Sequence, residues 1–125
     1  MNISKEEVNQ YLNDVKKAIC SGKYRISSRE KNETIYYEYV FSEAMFRDII
    51  MDLKVEDFSK AVYNEHPNYS KEILYVFGKE VRLLPKYGGN EEMVALYIKF
   101  NKLANLYVIV VSFHKQEYPM KYQFK

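Results

Sequence analysis

The sequence predicts a small α+β domain, with helices in its first half packed on one face of an antiparallel sheet built by its second half. Three observations predict it. Apolar residues recur at helical spacing from Val8 to Ile19, they alternate with polar ones from Val94 to Asn101, and a β-branched run from Leu106 to Phe113 follows after a short connection. At 125 residues the chain is long enough for one core, so residues 1–125 read as a single domain. Hydrophobic residues make up 47% of it, which excludes a disordered chain, and no apolar run reaches bilayer length. The polar start Met1–Glu7 has no hydrophobic stretch behind it, so no secretory signal is expected and the protein is expected to be soluble and cytoplasmic.

In chain order, Ser4 and Glu7 form a capping box for the first helix, whose stripe is Val8, Tyr11, Leu12, Val15 and Ile19 and whose end is marked by Gly22. Lys23 to Ile26 is expected to be a short edge strand. Ser27-Ser28 offers a cap for a second helix with Ile35, Tyr36, Tyr39 and Val40 on one side, although Thr34 to Val40 suits a strand equally well. Ser42 opens a third helix with face Phe46, Ile49, Ile50 and Leu53, and Val55, Phe58, Ala61 and Val62 continue the helical spacing after a bend near Lys54. Tyr63 to Lys71 reads as a loop. Ile73–Phe77 and Glu80–Leu84 flank Gly78-Lys79, which suits a hairpin turn. After a loop from Pro85 to Glu92, the strand from Val94 puts Tyr97 and Lys99 on one face, and Leu106–Phe113, apolar on both sides, is expected to be the central strand. It ends in His114-Lys115. The other sheet face is expected to be at least partly open.

Charge is uneven. Met1 to Ser59 holds nine Lys/Arg against eleven Asp/Glu, whereas Lys60 to Lys125 holds ten against six, so the basic excess lies with the sheet. The four glycines form neither a phosphate loop nor a dinucleotide fingerprint, and His66 and His114 are not at metal-ligand spacing, so neither a metal nor a cofactor is expected. Cys20, the single cysteine, excludes an internal disulfide and reads as a small buried hydrophobe. What is left is a set of proton carriers and cations: Lys60, Arg82, Tyr97, Lys99, His114 and Lys115. Breaking an RNA strand without a metal needs a base for the 2′-hydroxyl, an acid for the leaving 5′-oxygen and cations for the phosphate, and this set contains all three. Four of them also have a plainer reading. Lys60 has ion-pair spacing to Glu56 and Asp57 on a helix face, Tyr97 and Lys99 suit the outward side of an amphipathic strand, and His114 at a strand end suits a surface residue.

These residues also carry a resemblance. The helix ending Val15-Lys16-Lys17, the segment Asp57-Phe58-Ser59-Lys60, the strand ending Tyr75-Val76-Phe77, then Leu96-Tyr97-Ile98-Lys99 and Val110-Val111-Ser112-Phe113-His114-Lys115 follow one another in the order seen in the MqsR family of type II toxins. The chain resembles that family over nearly its whole length. The resemblance implies a RelE-like fold and a metal-independent endoribonuclease that cuts messenger RNA, stops translation and is neutralised by a cognate antitoxin. It assigns catalytic roles to Lys60, Tyr97 and a basic residue closing the last strand, which is His114 here with Lys115 beside it where the family has lysine. Lys99 and Arg82 would contact RNA. The family's glutamine has no counterpart, since Glu72 or Leu74 occupies its region. The alternative is a non-catalytic RNA- or protein-binding module on the same fold; a ligand-binding metabolic enzyme is a third reading.

Overall fold

The computed structural model describes residues 1–125. It is an α+β fold with its helices ahead of a mostly antiparallel sheet. The first helix, α1 (Lys5–Ser21), starts where Ser4 Oγ accepts the Glu7 N–H at 3.1 Å and the Glu7 carboxylate accepts the Ser4 N–H at 3.2 Å. It ends at Gly22, whose φ of 74° suits a residue without a Cβ. Its apolar stripe is buried on the sheet, where Tyr11 stacks on Tyr75 with ring centroids 3.8 Å apart and bonds the backbone of Phe100 and Lys102.

Strand β1 (Tyr24–Ile26) follows, then α2 (Glu30–Glu38), α3 (Glu43–Met51), a 3₁₀ turn at Val55–Asp57, and strands β2 (Phe58–Tyr63), β3 (Ile73–Leu83), β4 (Glu92–Lys102) and β5 (Val108–Lys115). The sheet order is β1-β5-β4-β3-β2. All neighbours are antiparallel except β1, which lies parallel to β5 as an edge strand. The central position therefore belongs to β4 rather than to the more apolar β5, which lies one place towards the edge.

Side-chain alternation sorts the two faces. Phe58, Phe77, Ile98 and Phe113 are buried in one cross-strand row against the helices, with Phe46 of α3 edge-on to Phe113 at 4.9 Å. Phe46, Ile50 and Leu53 are fully buried, as the third helix's spacing predicts. No helix is long and apolar enough to cross a membrane.

Several expectations need correction. Val55 to Val62 is not helical: the chain makes one 3₁₀ turn and enters β2, so Lys60 stands on a strand. The helix-like spacing comes from a β-bulge between Phe58 and Lys60, which puts Phe58 and Ala61, three apart, on the same core face. Gly78-Lys79 is not a turn, because β3 runs through it for 11 residues. The second helix is capped by Arg29 without a side-chain bond rather than by Ser27-Ser28, and Thr34 to Glu38 is helical. Cys20 is exposed, its Sγ 3.7 Å from Met51 Sδ. The sheet face opposite the helices is partly covered by the chain's own C-terminal residues.

Candidate active-site cleft

The face away from the helices carries the polar set. One cross-strand row reads Lys60, Val76, Lys99, Ser112, and the next reads Gly78, Tyr97, His114. With strands about 4.8 Å apart, the Lys60 and Lys99 Cα atoms stand about 10 Å from each other. The Tyr97 and His114 rings stack, 5.2 Å between centroids and 13° between planes. Lys60, Tyr97, Lys99, Ser112 and His114 line a cleft of about 620 Å³.

Two further elements wall it. Beyond Val110, the outer edge of β5 is no longer covered by β1 and is taken over by α2. Asn32 there accepts the Phe113 N–H at 2.9 Å and donates to the Val111 carbonyl at 3.1 Å, standing in for a missing strand. This docking brings Arg29, at the start of α2, into the cleft, where its guanidinium donates to Ser112 Oγ at 3.2 Å and to the Val111 carbonyl at 3.3 Å. Nothing in the sequence pattern singled out Arg29; only the placement of α2 against the bulged end of β5 shows it.

The opposite wall is the tail after β5. Ser59 Oγ donates to the Lys121 carbonyl at 2.6 Å, the Gln123 N–H to the Phe58 carbonyl at 3.1 Å, and Gln123 Nε2 to the Ile3 carbonyl at 3.0 Å, while Phe124 stacks on Phe58. The tail crosses the sheet over Gly78, where any Cβ would collide with the Tyr122 hydroxyl. That close approach, not a turn, is why a glycine interrupts the strand.

Electrostatically the cleft is cationic. None of the fold's ion pairs involves Lys60, Lys99 or Arg29. Burial pushes the Lys99 ammonium below its ordinary pKa, and the nearby Arg29 and Lys60 charges push it further, with Glu65 opposing. Burial also raises the Tyr97 phenol, against a lowering pull from Arg29, so at neutral pH it keeps its proton. His114 is 9% exposed. Its Nδ1 lies 2.8 Å from the Lys115 carbonyl, an acceptor only, so Nδ1 carries the hydrogen and the neutral ring keeps Nε2 as its free basic nitrogen.

Of the sequence-predicted residues, Lys60, Tyr97, Lys99 and His114 therefore meet in one cleft. Lys115 does not join them. Pleating turns it to the other face, where its Nζ sits 2.7 Å from Glu38 and over the Tyr39 ring, and those partners raise its pKa. Arg82 shares the cleft face but lies four residues along β3 from Gly78, about 13 Å away. Lys60 makes no pair with Asp57, whose carboxylate is 3.6 Å from Lys79 instead. No three His, Cys, Asp or Glu side chains gather where they would share a metal ion.

The arrangement offers a cationic bed for an anion, a phenol that holds its proton, and a histidine with a free basic nitrogen. Comparison with protein-family models, with curated proteins and with solved structures returns no match.

Proposed function

We propose that this cleft binds single-stranded RNA and cleaves it by metal-independent acid–base catalysis, as an endoribonuclease toxin acting on messenger RNA. The observation that carries the reading is the gathering of three unpaired cations, Lys60, Lys99 and Arg29, around the Tyr97–His114 stack. The phosphate lies on the cations, which stabilise the charge that builds on its non-bridging oxygens. His114 Nε2 takes the 2′-hydroxyl proton, the 2′-oxygen attacks phosphorus, and the 5′-oxygen departs with the Tyr97 proton. The products are a 2′,3′-cyclic phosphate and a 5′-hydroxyl. The Tyr97 phenol keeps a proton to give at neutral pH, and a tautomer fixed by the Lys115 carbonyl suits the base.

The resemblance to MqsR toxins supports the same reading at Lys60 and Tyr97, with His114 where the family has lysine, and adds a cytoplasmic site of action and a cognate antitoxin as partner. Lys115 is left out of the chemistry, since it is held by Glu38 on the far face.

The test is to incubate the purified protein with a defined single-stranded RNA in excess EDTA and map the product ends beside a His114→Ala variant. Fragments ending in 2′,3′-cyclic phosphate and 5′-hydroxyl that vanish in the variant are the expected result. Intact RNA with a salt-dependent mobility shift, persisting when ribosomes are added, would replace the enzyme with a non-catalytic binding module.

A further inference from the structure

The cleft has two chemically different walls. On the sheet side stand cations, suited to phosphate. On the tail side, between the charged Glu117 and Lys121, Tyr118, Pro119 and Met120 present an aromatic and apolar surface, and Tyr118 is 79% exposed although it lines the cleft. The tail is fixed on both sides of this segment. Gln116 Nε2 is bonded to the Leu96 carbonyl at 3.0 Å before it, and Ser59 Oγ to the Lys121 carbonyl at 2.6 Å after it. Glu117 is tied across the cleft to Lys31 of α2. Pro119 further restricts Tyr118 to extended backbone. The aromatic ring is thus carried on a segment of set geometry, with little ordering left to lose when a flat ligand covers it.

A nucleotide has the same two-sided character, a phosphate and a flat base. We propose that tail residues Tyr118–Met120 form a nucleobase-binding wall, with Tyr118 as the stacking surface for a base next to the phosphate held by Lys60 and Lys99. This rests on the RNA reading above and adds a second subsite to it. The glycine at 78 is part of the device, because it leaves room on the sheet for the side chains of Gln116, Met120 and Tyr122 that seat the tail.

The experiment uses a 2′-O-methyl RNA trinucleotide, which has no 2′-hydroxyl to react, carrying the fluorescent base 2-aminopurine at each position in turn. Stacking quenches its fluorescence. The expected result is quenching at one position with wild type and with Tyr118→Phe, loss of that quenching with Tyr118→Ala, and affinity lower in the Ala variant by roughly 5- to 100-fold. Gly78→Ala, whose Cβ would meet the side-chain ends of Tyr122, Met120 and Gln116, is expected to disturb the Met120 end of the wall and weaken the quenching while Lys60 and Lys99 stay in place. If wild type binds the trinucleotide in a salt-dependent way and Tyr118→Ala still quenches it, the base wall is overturned and the RNA reading stands. If wild type shows no salt-dependent binding, the RNA reading fails and the base wall falls with it.

Discussion

The two faces of the sheet treat their lysines in opposite ways. On the helix side, Lys79 lies 3.0 Å from Asp52 and 3.6 Å from Asp57, and Lys102 lies 2.7 Å from Asp14. On the cleft side, Lys60 and Lys99 have no carboxylate partner, and Lys99 is half-buried beside two other cations. Neighbouring strands supply both sets, so strand type is not the difference. The difference is that the fold neutralises one set and leaves the other to repel itself. Holding like charges together with no paired carboxylate, Glu65 only opposing them from nearby, costs stability, and such a cost suits a site that takes an anion.

The largest expected effect breaks the chemistry and leaves the comparison intact. Tyr97→Phe removes only the phenol hydroxyl; RNA cleavage should fall on the order of 10²- to 10⁴-fold with an unchanged circular dichroism spectrum. Wild-type rates in this variant would remove Tyr97 from the mechanism.

Next come the two lysines compared directly. Lys79→Met leaves Asp52 and Asp57 without their cation and should lower the unfolding free energy, whereas Lys99→Met removes a desolvated, repelled charge and should raise it, each by on the order of 1 kcal/mol as read by denaturant unfolding. A shift of the same sign in both would end the contrast between the faces.

Titration sharpens it further. The fold holds the Lys99 proton less tightly than the unfolded chain does, so the group's contribution to stability rises with pH between its lowered pKa and the ordinary 10.5. Tyr97 has the opposite sign: the fold holds its proton more tightly, and that contribution, present below pH 10, is lost as pH rises through the raised pKa. Arg29 lowers both groups, so Arg29→Ala should move the Lys99 and Tyr97 pKa values upward together, as read by NMR. The smallest effect is expected at Lys115. Its replacement by alanine breaks an exposed pair with Glu38 and should leave cleavage within about twofold of wild type.

Much of this was legible in the sequence wherever a period ran undisturbed. The first and third helices, the short edge strand, and the Tyr97–Lys99 face opposite His114 all follow from regular spacing. Reading failed where a bulge broke the period. Phe58 and Ala61 share a core face three residues apart because of the bulge at Ser59, and that spacing is the one a helix would give. Gly78 misled for a different reason: its lack of a side chain serves a segment about forty residues later, which no local pattern reveals. Arg29 and the tail wall belong to the same class, since both enter the cleft through tertiary packing alone. Lys115 shows the converse. It adjoins His114 in the chain, yet a single step along a pleated strand sends it to the opposite face.

The contrast between the faces is tested most directly by the salt dependence of RNA affinity, measured with a 2′-O-methyl single strand. Each phosphate contact contributes about 0.7 to the slope of log K against log salt. The Lys60→Ala/Lys99→Ala double variant should lose about 1.4 from that slope, while Lys79→Ala and Lys115→Ala should keep the wild-type value. An unchanged slope in the double variant, or an equal loss in the two controls, would contradict the assignment of the cleft face as the phosphate-binding surface.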